Sequence, residues 1–312
     1  MYAVFRKELA DHLSSRRFAI LFALVFLAAI FAIYVAIQNI RSVVTPTTEF
    51  VFLKMFTTSG NTLPSFPFFI SLFIPIIGIA LGFDTINTER ASGNLSRLLS
   101  QPIYRDSVIN GKFLAGLAVM SIMIVTVIAI VAGLGLRIIG VPPGSEEILR
   151  LIFFAIVSII YGAFWMALAA LFSIFFNRAA TSMLASIALW IFFFFFMSMI
   201  AGAIANAQAP LGSNPTAEMM IRNVAIQGML GRISPCTLYG EATAALLTPE
   251  LASLNPALMV LSTFTSGRMI TPLPFNQSLL IIWPQIVSIA ALAAICFGVS
   301  YVKFMREEIR SI

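Results

Sequence analysis

A single histidine, three aspartates and two cysteines make up much of the reactive chemistry in this chain of 312 residues. His12 stands alone near the N-terminus, which excludes an HExxH metal site and disfavours a histidine-assisted serine nucleophile. Asp11, Asp84 and Asp106 lie at or beyond the ends of apolar runs, so no two of them can face each other inside a membrane as an aspartyl pair. Gly111-Lys112 is followed by Phe113, and Asp106 stands five positions before Gly111. The G-x-x-x-x-G-K-[ST] phosphate loop is therefore absent, and the chain is not expected to hydrolyse ATP by itself. Cys236 lies in a polar-interrupted segment and Cys296 in an apolar run, so they are poorly placed for a disulfide. The concentrated chemistry that remains is a charged stretch, GFDTINTERASGNLSRLLSQP at 82–102. Its acids, arginines and leucines suit recognition rather than catalysis.

The elements that must position this stretch are dictated by composition. The chain is 60% hydrophobic and only 10% charged, against about 45–50% apolar in soluble domains. So few charges cannot cover so much apolar surface in water, and an all-α integral membrane protein is expected. A span needs about 20 apolar residues to cross roughly 30 Å of hydrocarbon. Six runs qualify: 18–37, 67–83, 113–136, 151–176, 179–205 and 280–302. The first is too long for a signal-peptide core and lacks a clear small-residue exit site. Asn177 and Arg178 alone separate the fourth and fifth, which predicts a tight helical hairpin.

Lysines and arginines near span ends set orientation. With the N-terminus inside, 12 fall on the cytoplasmic side and 7 opposite. Both termini are expected in the cytoplasm, with the protein multi-pass in the plasma membrane. The net charge of +6 then speaks to topology and anionic lipid rather than nucleic acid. Ahead of the first span, Tyr2, Phe5, Leu9 and Leu13 fall on one helical face. Residues 1–17 are expected to form an amphipathic helix in the inner interface plane. Residues 206–279 are the largest non-spanning segment, too apolar for a free domain. They are expected to form short helices, including AEMMIRNVAIQGML and LYGEATAALLTPELASL, lying on or dipping into the outer leaflet. Fourteen methionines and twenty-nine phenylalanines, five of them consecutive at 192–196, are read as packing material rather than a ligand set.

No Asp or Glu falls within the six runs. Ion-coupled carriers usually place ionisable groups there, so proton coupling is disfavoured, while sodium coupling through carbonyls stays open. Within 82–102, Asp84 is expected to mark the inner end of the second span, Gly93 to break the helix, Asn94 to cap a short helix LSRLLS and Pro102 to end it. Leu95, Leu98 and Leu99 share a face that could pack on the chain's own bundle or insert into a groove on a soluble partner.

FDTINTERASGNLSRLLSQPIYRDSVINGKFLAG resembles the first cytoplasmic loop of type-2 ATP-binding-cassette (ABC) exporter permeases, through Glu89-Arg90, Gly93, Leu95 to Leu99, Pro102 and Gly111-Lys112. ISPCTLYGEATAALL at 233–247 is similar to the outer segment before the last span in that class. The resemblance implies a six-span permease domain over 18–312, with a coupling loop at 84–112 and a second permease chain as homodimer or heterodimer. It also implies two cytoplasmic ABC ATPase subunits that carry ATP and magnesium, with no cofactor on this chain. Asp84, Glu89, Arg90, Gly93, Leu95, Arg97, Leu98, Leu99, Pro102 and Arg105 become candidates for the ATPase interface. Leu238, Tyr239, Glu241 and Leu246 become candidates for an outer gate. The expected function is export of a hydrophobic or amphipathic cargo, the chain itself being no enzyme. The alternatives are an ATPase-driven assembly or regulatory subunit and, further off, an ion-coupled carrier.

Overall fold

The computed structural model describes residues 1–43, 50–59, 64–91, 104–140, 142–212, 215–249 and 272–306. All regular structure among them is helical, as a lipid environment demands of chain segments that must satisfy their own backbone groups. A short helix α1 (Tyr2–Leu13) leads into α2 (Arg16–Val43), the first span. After α3 (Val51–Thr57), the second span runs through α4 (Phe66–Gly82), a turn, and α5 (Asn87–Ala91). The third and fourth spans are α6 (Arg105–Ile139) and α7 (Ser145–Phe175). The fifth is assembled from α8 (Ala179–Ile191), a π-helical turn (Phe192–Phe196) and α9 (Met197–Gln208). Two shorter helices, α10 (Ala217–Gly231) and α11 (Pro235–Leu247), precede the last span, α12 (Phe275–Arg306).

Six helical stretches are long and apolar enough to cross a membrane, and they coincide with the six runs read from the sequence. The differences lie at the ends: α6 begins at Arg105 and α12 at Phe275, before their apolar cores, because helices continue into the polar flanks. Local chemistry sets several boundaries. Pro67 and Pro235 occupy first-turn positions, where a missing N–H costs nothing. Gly140 ends α6 in the left-handed conformation at φ 73°, which a side chain would disfavour.

The fourth span is the axis of the bundle. Helix α7 packs against α4, α6, α8, α11 and α12. The α4–α7 crossing is close because Gly78 and Gly82 stand one turn apart on α4. A Cβ at Gly82 would come within 2.5 Å of the Met166 carbonyl oxygen, and one at Gly78 within 2.7 Å of that of Gly162. This is the small-xxx-small device by which membrane helices approach without a hydrophobic driving force. The fifth and sixth spans are the most exposed, each only 17% buried in its apolar window.

Helix α11 does not lie along the surface of the bundle. Nine of its 13 residues are buried, against two of 15 in α10, and it inserts among α3, α4, α7, α12 and the π-helical turn. There the Ser234 hydroxyl donates to the Phe193 carbonyl at 3.0 Å, supplying a partner where the π turn departs from α-helical bonding.

Candidate functional site

The described part of the charged stretch is its base, and a serine of the fourth span holds it. The Ser173 hydroxyl accepts from the backbone N–H of Ile86 at 3.0 Å and of Asn87 at 3.2 Å. These are donors that the start of α5 leaves unsatisfied. Asn87 is 1% exposed and donates back to the Phe83 carbonyl at 3.2 Å. Arg90 Nη1 donates to Asn177 Oδ1 at 3.1 Å, tying α5 to the link between the fourth and fifth spans. Asp84 pairs with Arg17, whose guanidinium also lies over the Phe83 ring, 5.6 Å from its centre. Arg105, half-buried, opens α6. Gly93, Leu95, Arg97, Leu98, Leu99 and Pro102 lie outside the described residues.

Glu89 turns inward. Its carboxylate lies 2.7 Å from Lys112 Nζ, and Glu8 of α1 approaches the same ammonium at 3.0 Å. The three side chains are 16%, 8% and 14% exposed, respectively for Glu89, Lys112 and Glu8. One lysine thus joins α1, α5 and α6 in a setting where water screens little. The helix face that α1 turns to this cluster is not its most apolar one. Val4, Phe5, Glu8, Leu9 and His12 are half-buried, whereas Tyr2 and Leu13 are 70% and 40% exposed. A Cβ at Gly111 would meet Val4 at 3.0 Å, so glycine lets α1 sit directly on α6. Beside the cluster is a polar cleft of about 400 Å³ lined by Glu8, His12, Asp84, Glu89 and Lys112 among others. Burial lowers the His12 pKa, and Lys112 adds to that, while Glu8, Asp84 and Asp11 oppose it.

At the opposite end of the bundle the gate candidates are core residues. Leu238, Tyr239 and Leu246 are 7%, 0% and 0% exposed. Tyr239 stacks on Tyr161 with ring centres 4.3 Å apart, and its hydroxyl shares a 2.7 Å hydrogen bond with Ser158. Glu241 accepts from Arg232 Nε at 3.0 Å and from Gln285 Nε2 at 2.9 Å, linking α11 to α12.

The sequence reading gave no site role to two neighbouring residues. Arg150 is fully buried and donates to the carbonyls of Leu246 at 2.9 Å and Leu273 at 2.6 Å, to Ser278 at 3.1 Å and to Glu146 at 2.8 Å. Glu147 accepts from the backbone N–H of Phe52, Leu53 and Gly144 at 3.0, 3.2 and 2.8 Å. One carboxylate thereby serves the starts of both α3 and α7. The spacing of Glu146 and Arg150, one helical turn apart where an apolar run begins, was the available signal.

Among the described residues no group of three or more His, Cys, Asp or Glu could hold a metal ion. In comparison with known families, the model of a family described as ABC-2 family transporter protein matches residues 2–309, nearly the whole chain. No curated protein matches the chain.

Proposed function

The chain belongs to the ABC-2 transporter family and is an ABC transporter permease, a multi-pass membrane protein; from that premise we propose that it is the permease subunit of an exporter. Two such chains, identical or related, form the pathway. Two separate cytoplasmic ATPase subunits bind ATP and magnesium and drive it. Both termini face the cytoplasm of a cell whose plasma membrane holds the complex. The cargo is hydrophobic or amphipathic, in keeping with spans that lack acidic residues through their apolar cores.

The segment 84–105 is the coupling element in this reading. The observation that carries it is the anchoring of the segment's base. Ser173, Asn177 and Lys112 belong to the fourth span, the link after it and the third span, and all three hold residues between Ile86 and Arg90. A push on the segment is thereby delivered to several spans at once. Leu95, Leu98 and Leu99 supply the packing surface for the ATPase. Glu89 and Arg90 act through the chain's own fold, holding the base in place.

The test is co-purification. Leu98→Asp, or the double change Leu95→Asp with Leu99→Asp, is expected to release the ATPase subunit while membrane insertion stays intact. Undiminished ATPase on the purified mutant would overturn the assignment.

A further inference from the structure

The third and fourth spans follow one another in sequence but separate toward the membrane face opposite α1. Between them lies a groove of about 550 Å³. Its walls are aliphatic: Val125, Ile128, Ala132 and Leu136 on α6 face Ile152 and Ile159 on α7. Small residues make it concave, and a Cβ at Gly133 would meet nothing within 4 Å.

The groove is propped open by a built wedge. Phe52 of α3 lines it, and Met55 of the same helix packs at Gly135 of α6. Helix α3 is held in that place by the Glu147 carboxylate on the backbone N–H of Phe52 and Leu53. Helix α3 is thus tied to α7 by hydrogen bonds and to α6 by packing at Gly135.

What fills such a groove follows from its chemistry. An apolar concavity offers water no hydrogen-bond partners and stays dry, while leaving it empty forfeits the dispersion contacts of its lining. Hydrocarbon is the filler that suits both conditions. A cation adjoins the lining in sequence. Arg137 follows Leu136 and stands one turn beyond Gly133, in the last turn of α6, where it is exposed and makes no ion pair among the described residues. Glu146, the nearest acid in sequence on the other wall, is already engaged by Arg150.

We propose that this groove is a phospholipid site: one acyl chain lies between α6 and α7 and the phosphate is met by Arg137. The occupant is a lipid of the surrounding bilayer, independent of transported cargo and of any ATPase.

The full-length permease would be reconstituted in vesicles of phosphatidylethanolamine and phosphatidylglycerol carrying a trace of phosphatidylglycerol with a diazirine on one acyl chain. After illumination, adducts would be mapped by peptide mass spectrometry. Labelling of the groove walls is expected to exceed that of the exposed α12 face around Leu280 and Ile295 by about fivefold, the mark of a preferred site over bulk solvation. Ala155→Phe, or Ala129→Phe if the first variant does not fold, is expected to remove the excess and leave α12 labelling unchanged. Arg137→Glu should reduce the phospholipid retained by detergent-purified protein, and Arg137→Lys should preserve it. Equal labelling of groove and α12, or an excess that survives the filling variants, overturns the proposal. So does efficient cross-linking of Gly133→Cys to a second copy of the chain, which would make the groove an interface between protomers.

Discussion

Lys112 is the residue on which the N-terminal helix and the charged segment both depend. It serves two carboxylates at 3.0 and 2.7 Å. Removing the ammonium leaves Glu8 and Glu89 facing each other with little water between them. Breaking a buried ion pair from one side costs roughly 3–5 kcal/mol. Lys112→Met is therefore expected to lower the thermal midpoint of the purified protein by several degrees. Adding Glu8→Gln should recover part of the loss, because the remaining carboxylate then faces a neutral amide. A double variant no more stable than Lys112→Met alone would show that the two residues do not share one interaction. The sequence announced the lysine only as the basic entry to an apolar run. Its partners were not legible, since Glu8 lies 104 positions away and periodicity reports a helix's own faces, not what another helix places beside them. The same limit explains Arg150, counted from the sequence as a cation outside the spans and found 0% exposed.

At the scale of elements, the spans were legible because bilayer thickness fixes their length whatever they pack against. Their order of burial was not. Nothing in composition separates the fourth span from the sixth, yet their apolar windows are 61% and 17% buried. The GxxxG spacing at Gly78 and Gly82 is the local sign of the crossing that makes the difference. Gly82→Val is expected to push α4 off α7, because even the first added carbon would strike backbone at Met166. The variant should aggregate or lose much of its thermal stability. Gly228→Ala is the control, with nothing within 4 Å of the new carbon, and should leave thermal stability and elution volume unchanged. A Gly82→Val protein as stable as that control would mean that α4 and α7 do not meet as closely as described. Helix α11 makes the complementary point. Its existence was expected from LYGEATAALLTPELASL, whose last residues, 250–254, lie outside the described residues, but so even a mixture of small and apolar residues has a weak periodicity that did not show how deeply the helix sits.

For the whole molecule, the proposed pathway is made of two permease chains, each supplying half, on a two-fold axis normal to the membrane. Cross-linking in native membranes is expected to trap a species of two permeases; monomers alone would remove the half-pathway reading. The fifth span also bears on how this gene can change. An α-helix advances about 100° per residue, so losing one codon inside a span ordinarily swings everything beyond it to a new face. A π turn takes up one residue more than the α-helix around it, and here it coincides with Phe192 to Phe196. Deleting any one of those five codons yields the same protein, in which the turn can relax to α-helix while α8 and α9 keep their faces. The run of identical residues is thus a place where a membrane span can absorb an in-frame deletion without changing its register.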